Sequence, residues 1–138
     1  MRRIQYRYAA IGAGNDIRYR PMVDVILLAP NGEAARISAL ADTGADYCLF
    51  PLDIAMLLQL NLARLPAATT IGVGNTANLT YYDTLTIDLG HGVIFETKVG
   101  FTKGMNSAGF GLLGQQGFFE NFNVEFRHRE RIFTVERS

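Results

Sequence analysis

Apolar and polar residues alternate along much of this chain. In "MVDVILLA", residues 22–29, Val23, Val25 and Leu27 share one face, the period-two pattern of a half-buried strand. Pro30-Asn31-Gly32 marks a hairpin turn, and "EAARISALA", residues 33–41, returns from it. "LTYYDTLTIDL", residues 79–89, sets Leu79, Tyr81, Leu85, Ile87 and Leu89 against Thr80, Tyr82, Thr84, Thr86 and Asp88. That pattern predicts a second half-exposed strand. Gly90-His91-Gly92 turns it into "VIFETKVGF", and "NVEFRH" and "RIFTVE" predict a last hairpin around Arg129-Glu130.

The period changes after Phe50. Pro51 suits a first helical turn, Asp53 suits its positive end, and Ile54, Leu57 and Leu58 fall on one side at i, i+3, i+4. The expectation is a short helix over 51–60. "QQGFFENF", residues 115–122, predicts one or two further helical turns, and "TKGMNSAG", residues 102–109, a loop. "TTIGVGNTA", residues 69–77, is a glycine-punctuated hairpin tip. Ile11-Gly12-Ala13-Gly14-Asn15 echoes Ile71-Gly72-Val73-Gly74-Asn75, but nothing around the two segments matches, so they are two similar turns. Neither is a dinucleotide loop, which needs a third glycine opening a helix.

Nothing in this pattern divides the chain. At 138 residues it is expected to form one domain over 1–138, with 1–20 a terminal strand extension and 21–137 the core. Formal net charge is zero, which argues against a general electrostatic role on nucleic acid or membrane. The charge is unevenly spread, however. Arg2, Arg3, Arg7, Arg18 and Arg20 crowd the first twenty residues, with Asp16 the only acid there. Between Ile37 and Thr97, Arg64 is the only basic residue against Asp42, Asp46, Asp53, Asp83, Asp88 and Glu96. Basic ends and an acidic middle are either solvated surface or two halves of a contact between copies of the chain.

Cys48 is the only cysteine, so no disulfide forms within the chain; in Tyr47-Cys48-Leu49-Phe50 it reads as a buried, inert thiol. Two histidines and one cysteine make no structural metal site, and neither metal nor cofactor is expected. No apolar run approaches a membrane span, and the start of the chain lacks a signal-peptide core, so the expected location is the cytoplasm.

The candidate chemistry lies in "SALADTGADYCLFP", residues 38–51, where Asp42-Thr43-Gly44 sits between two apolar runs. By itself this tripeptide is also an ordinary tight turn, with the aspartate bonding nearby amides. The order of apolar strand, Asp42-Thr43-Gly44-Ala45, apolar strand, glycine-rich hairpin and Leu112-Leu113-Gly114 resembles the retropepsins, the single-domain aspartic proteases of retroviruses. It is closer still to their bacterial relatives, which insert a helix after the Asp-Thr-Gly strand and close the domain with a segment like "LLGQQGFFENFNVEF". The resemblance runs from about Arg20 to Val135.

That resemblance implies a mainly β, closed barrel-like fold with one or two short helices, acting as a homodimer in which each copy supplies one catalytic aspartate, here Asp42. Two carboxylates about 3 Å apart share one proton; the ionised one activates a water and the protonated one polarises the peptide carbonyl. Thr43 would bond across the two-fold axis, Gly44 would allow close backbone approach, Ala45 would keep the site narrow and Asp46 would lie beside the substrate main chain. Ile71, Gly72, Val73 and Gly74 would form the flap over an extended peptide, with Leu112, Leu113 and Gly114 packed under the active-site loop. The chain departs from the pattern at Gln115, where many members carry an arginine that pairs with the aspartate at the position of Asp46. A non-catalytic peptide-binding or dimerisation module on the same fold is the alternative reading.

Overall fold

The computed structural model describes residues 3–71 and 77–138. The described chain is mainly β. In order come β1 (Ile4–Arg7), β2 (Ala9–Ala13), β3 (Asp16–Arg20), β4 (Met22–Leu28), β5 (Ala34–Ala41) and β6 (Cys48–Pro51). The helix α1 (Leu52–Leu57) follows, then β7 (Ala67–Ile71), β8 (Ala77–Asp88), β9 (Ile94–Thr102), β10 (Gly111–Leu113), β11 (Phe122–Arg127) and β12 (Ile132–Arg137).

Seven of these strands form one sheet in the order β4-β5-β10-β6-β9-β8-β7. β4 pairs again with the end of β8, Leu27 opposite Ile87, and this curls the sheet into a closed barrel. The alternation read in 22–29 is what fills it: Val23, Val25 and Leu27 are buried, as are Ala39, Leu85, Ile87, Val99 and Phe101. Each Val, Leu, Ile or Phe among them contributes about 1.5–3 kcal/mol by leaving water. The expected Pro30-Asn31-Gly32 turn joins β4 to β5, with Gly32 at positive φ.

Outside the barrel lies a three-stranded sheet, β1-β12-β11, containing the expected last hairpin. β12 is its middle strand, so the two ends of the chain pair with each other, Ile4 opposite Val135. Phe133 and Val135 point inward to the core, next to an aromatic cluster of Phe95, Phe118 and Phe122 with ring centroids 5.3–6.3 Å apart.

Three expectations change in detail. Residues 1–20 were expected as a strand extension, but they hold β1 and also a separate hairpin, β2–β3, whose tip is the Gly14-Asn15 turn. The helix is shorter than expected, and it buries Ala55 and Leu58 while Leu57 is exposed. Pro51 ends β6 and precedes the first turn, and Gln59 takes a left-handed conformation just past the helix. With so few turns, the docking of the helix on its neighbours selects the buried stripe. The third change is in β8. Leu85, Ile87 and Leu89 are buried as expected, but earlier in the strand Thr80 and Tyr82 are buried and Leu79 is exposed. β8 stays in register with β9 throughout, from Thr80↔Thr102 to Asp88↔Ile94. Its second half closes the barrel against β4, while its first half pairs with β7, so the covered face changes along one strand.

Candidate active site

Asp42 stands where β5 ends. Its backbone N–H donates to the Leu113 carbonyl at 3.0 Å, extending the parallel β5–β10 pairing by one residue. The chain then turns tightly: Ala45 N–H donates to the Asp42 carbonyl at 3.2 Å, and Gly44 N–H donates to Asp42 Oδ1 at 2.9 Å. The half-buried carboxylate is thus oriented by its own loop, as aspartate favours in turns.

A second segment locks this loop from below. Gln115 N–H donates to the Ala45 carbonyl at 2.8 Å, and Gln116 N–H donates to the Asp46 carbonyl at 2.9 Å. Gln115 Nε2 donates to the Thr43 carbonyl at 2.7 Å. So the glutamine standing in the arginine's place ties down the loop backbone. Asp46 is exposed and makes no ion pair among the described residues. Gly114 is required by close approach: a Cβ there would lie 2.3 Å from the Tyr47 carbonyl oxygen.

The expected roles of the Leu-Leu-Gly separate. Leu113 is fully buried beneath the loop, while Leu112, half-buried, faces an open cleft. That cleft, about 550 Å³, brings together Asp42, Gly44, Ala45 and Asp46 with Leu49, Phe110 and Met105. Thr43 is exposed on the loop. β7 and β8 pair antiparallel up to Ile71↔Ala77, on either side of the segment expected as the flap. Gly72, Val73 and Gly74 lie outside the described residues, and of Ile71 only the backbone is described.

Sequence reasoning missed the aromatic part of the cleft. Tyr47 and Tyr82 meet edge to face with centroids 5.7 Å apart, and Lys98 Nζ lies 5.0 and 4.6 Å from the two ring centres. Burial raises the Tyr82 phenol above its ordinary value, and Tyr47 beside it adds to the shift. Tyr47 was within reach of a strand-period argument, being two residues past Ala45. Tyr82 was not, because its inward direction depends on the change of face in β8. Cys48 is fully buried, and burial pushes its thiol up to about 11 against bonds from Gly114 and Phe118 that lower it. It stays protonated and is no nucleophile. Among the described residues no helix is long and apolar enough to cross a membrane.

No family model matches the chain, and no curated protein matches it in sequence. Among solved structures it is similar to a retropepsin-like aspartic protease from Rickettsia conorii, with a TM-score of 0.68 over 97% of this chain and 98% of that one, at 18% identity. The chain therefore has the retropepsin-like aspartic protease fold.

Proposed function

We propose that this protein is an aspartic endopeptidase whose catalytic dyad is built from Asp42 of two copies of the chain. The observation that carries the reading is the placement of Asp42: a half-buried carboxylate on a turn locked by Leu113, Gln115 and Gln116, opening into a cleft of about 550 Å³ to which β8 contributes Asn78 and Tyr82. One chain supplies one such carboxylate, and a two-fold interface supplies the other. The dyad holds one proton between its members. The ionised member takes a proton from water, which attacks the scissile carbonyl, while the protonated member donates to the carbonyl oxygen. The tetrahedral intermediate collapses as the leaving nitrogen is protonated, with no covalent enzyme intermediate. Thr43 and Gly44 shape the loop, and Asp46 and Ala45 border the bound main chain. Tyr47, Leu49, Phe110 and Met105 give the cleft its apolar lining and favour bulky apolar side chains beside the cut.

The test is cleavage of a peptide library between about pH 3 and about pH 7, the range a shared-proton dyad serves. Wild-type protein should cut at a consistent set of sites, and Asp42→Asn, folded and equally associated, should lose at least about a hundredfold in rate. A wild-type dimer that cuts nothing in the library would overturn the reading.

A further inference from the structure

The hairpin β2–β3 is set apart from the rest of the molecule. It forms a two-stranded sheet of its own and, among the described residues, shares no strand pairing with either neighbouring sheet. Ile11 lies opposite Arg18 and Gly12 opposite Ile17, so the two isoleucines point to opposite faces. Both are exposed, at 43% and 49%. A hairpin resting on the body would cover one of its faces; this one shows an isoleucine on each. Its attachments are at its base, where the Arg131 guanidinium lies 3.7 Å from the Tyr19 ring centre and Tyr8 N–H donates to the Arg131 carbonyl. Isolated two-stranded hairpins are at best marginal in water.

Three observations bear on what could cover it. A cavity of about 660 Å³ separates the hairpin from the outer face of β4–β5, with Ile11 on one side and Asp24 and Ser38 on the other. Phe110 borders both this cavity and the cleft that holds Asp42, so the gap opens beside the site that lacks a second carboxylate. In the terminal sheet, β12 already has β1 on one edge and β11 on the other, which leaves no central place for a strand from another chain. The charges also match: Arg20 has no ion pair among the described residues, Arg18 has only exposed Asp16 at 3.5 Å, and the middle of the same sequence is acidic.

We propose that β2–β3 is a clasp that closes on the acidic middle of a second copy of this chain and holds the two Asp42 loops together. The proposal rests on the dimeric reading above, and it gives the hairpin a dimer-holding role beside a terminal sheet whose central strand is already paired on both edges.

The test is sedimentation of the full chain, wild type against Gly12→Ala and against the double change Arg18→Glu with Arg20→Glu, with circular dichroism to confirm the folded body. A Cβ at Gly12 would lie 2.0 Å from the Asp16 carbonyl oxygen, so Gly12→Ala breaks the hairpin alone. Both variants should dimerise more weakly by about tenfold or more. Wild-type association should weaken as salt rises from about 0.05 M to about 0.5 M, and that of the charge-reversed variant should not. Hydrogen exchange of residues 9–20, which needs no variant, should slow as protein concentration drives association. Variants that associate like the wild type, or hairpin amides that exchange equally in both states, would overturn the clasp and leave the protease reading standing. A wild type that stays monomeric at every concentration would overturn both. Association that depends on the hairpin without any peptide cleavage would uphold the clasp and overturn the protease.

Discussion

Two hairpins adjacent in sequence, β2–β3 and β4–β5, share one kind of backbone pairing and have opposite surroundings. In β4–β5 one face is sealed in the barrel, with Val23, Val25, Leu27 and Ala39 buried, and the strand runs straight on into Asp42. In β2–β3 nearly every residue is exposed and the hydrogen bonds stand alone. Ladder bonds exchange for bonds to water at a net gain of about 0.5–1.5 kcal/mol each, so an apolar face decides whether a hairpin is rigid. The rigid one carries the chemistry. The unsupported one is the segment proposed as the clasp.

Leu27→Ala should cost about 2–5 kcal/mol in urea unfolding. Ile17→Ala, on the exposed hairpin, should shift the same transition by less than about 1 kcal/mol. An equal loss at both positions would mean that β2–β3 is part of the cooperative body. Two glycines, Gly32 in the β4–β5 turn and Gly12 within β2, respond differently. Gly32 has positive φ and open space around its Cβ direction, so Gly32→Ala should cost about 1 kcal/mol of global stability from backbone strain alone. Gly12→Ala meets a hard backbone clash, yet it should leave the global midpoint nearly unmoved, because only the hairpin opens.

A pH signature reports on the buried side. In the unfolded chain Cys48 titrates near 9.0, and in the fold burial raises it to about 11. Above pH 9 the unfolded state loses this proton first and so binds fewer protons than the native state. The contribution is therefore fully present below pH 9 and is lost as pH rises toward 11. Urea midpoints between pH 8 and pH 11 should fall more steeply for the wild type than for Cys48→Ala. Parallel curves would show that the thiol is less enclosed than its packing indicates.

The site was legible where chemistry is local. An aspartate, a small hydroxyl residue and a glycine between apolar runs mark a turn with a presented carboxylate, and the Gly44 amide bonding to Asp42 Oδ1 is a contact across two residues. Gln115 was visible as a departure, but its bond to the Thr43 carbonyl spans 72 positions and has no local signal. The tyrosine pair was hidden for the same reason. Alternation told which residues of β8 share a face; it did not tell that the covered face changes near Asp83.

Sequence alone determined the β character of this protein, the β4–β5 and β11–β12 hairpins, the helix after Phe50, the buried thiol and the position of the carboxylate loop. These follow from side-chain period, from turn residues and from the order of apolar runs, all interactions within about ten residues. Tertiary structure decided which face of β8 is covered, how the chain ends pair, that the segment after Gly114 braces the Asp42 turn, and that one hairpin is left without a core. Each depends on which distant strand arrives alongside, and burial goes to the face that neighbour covers.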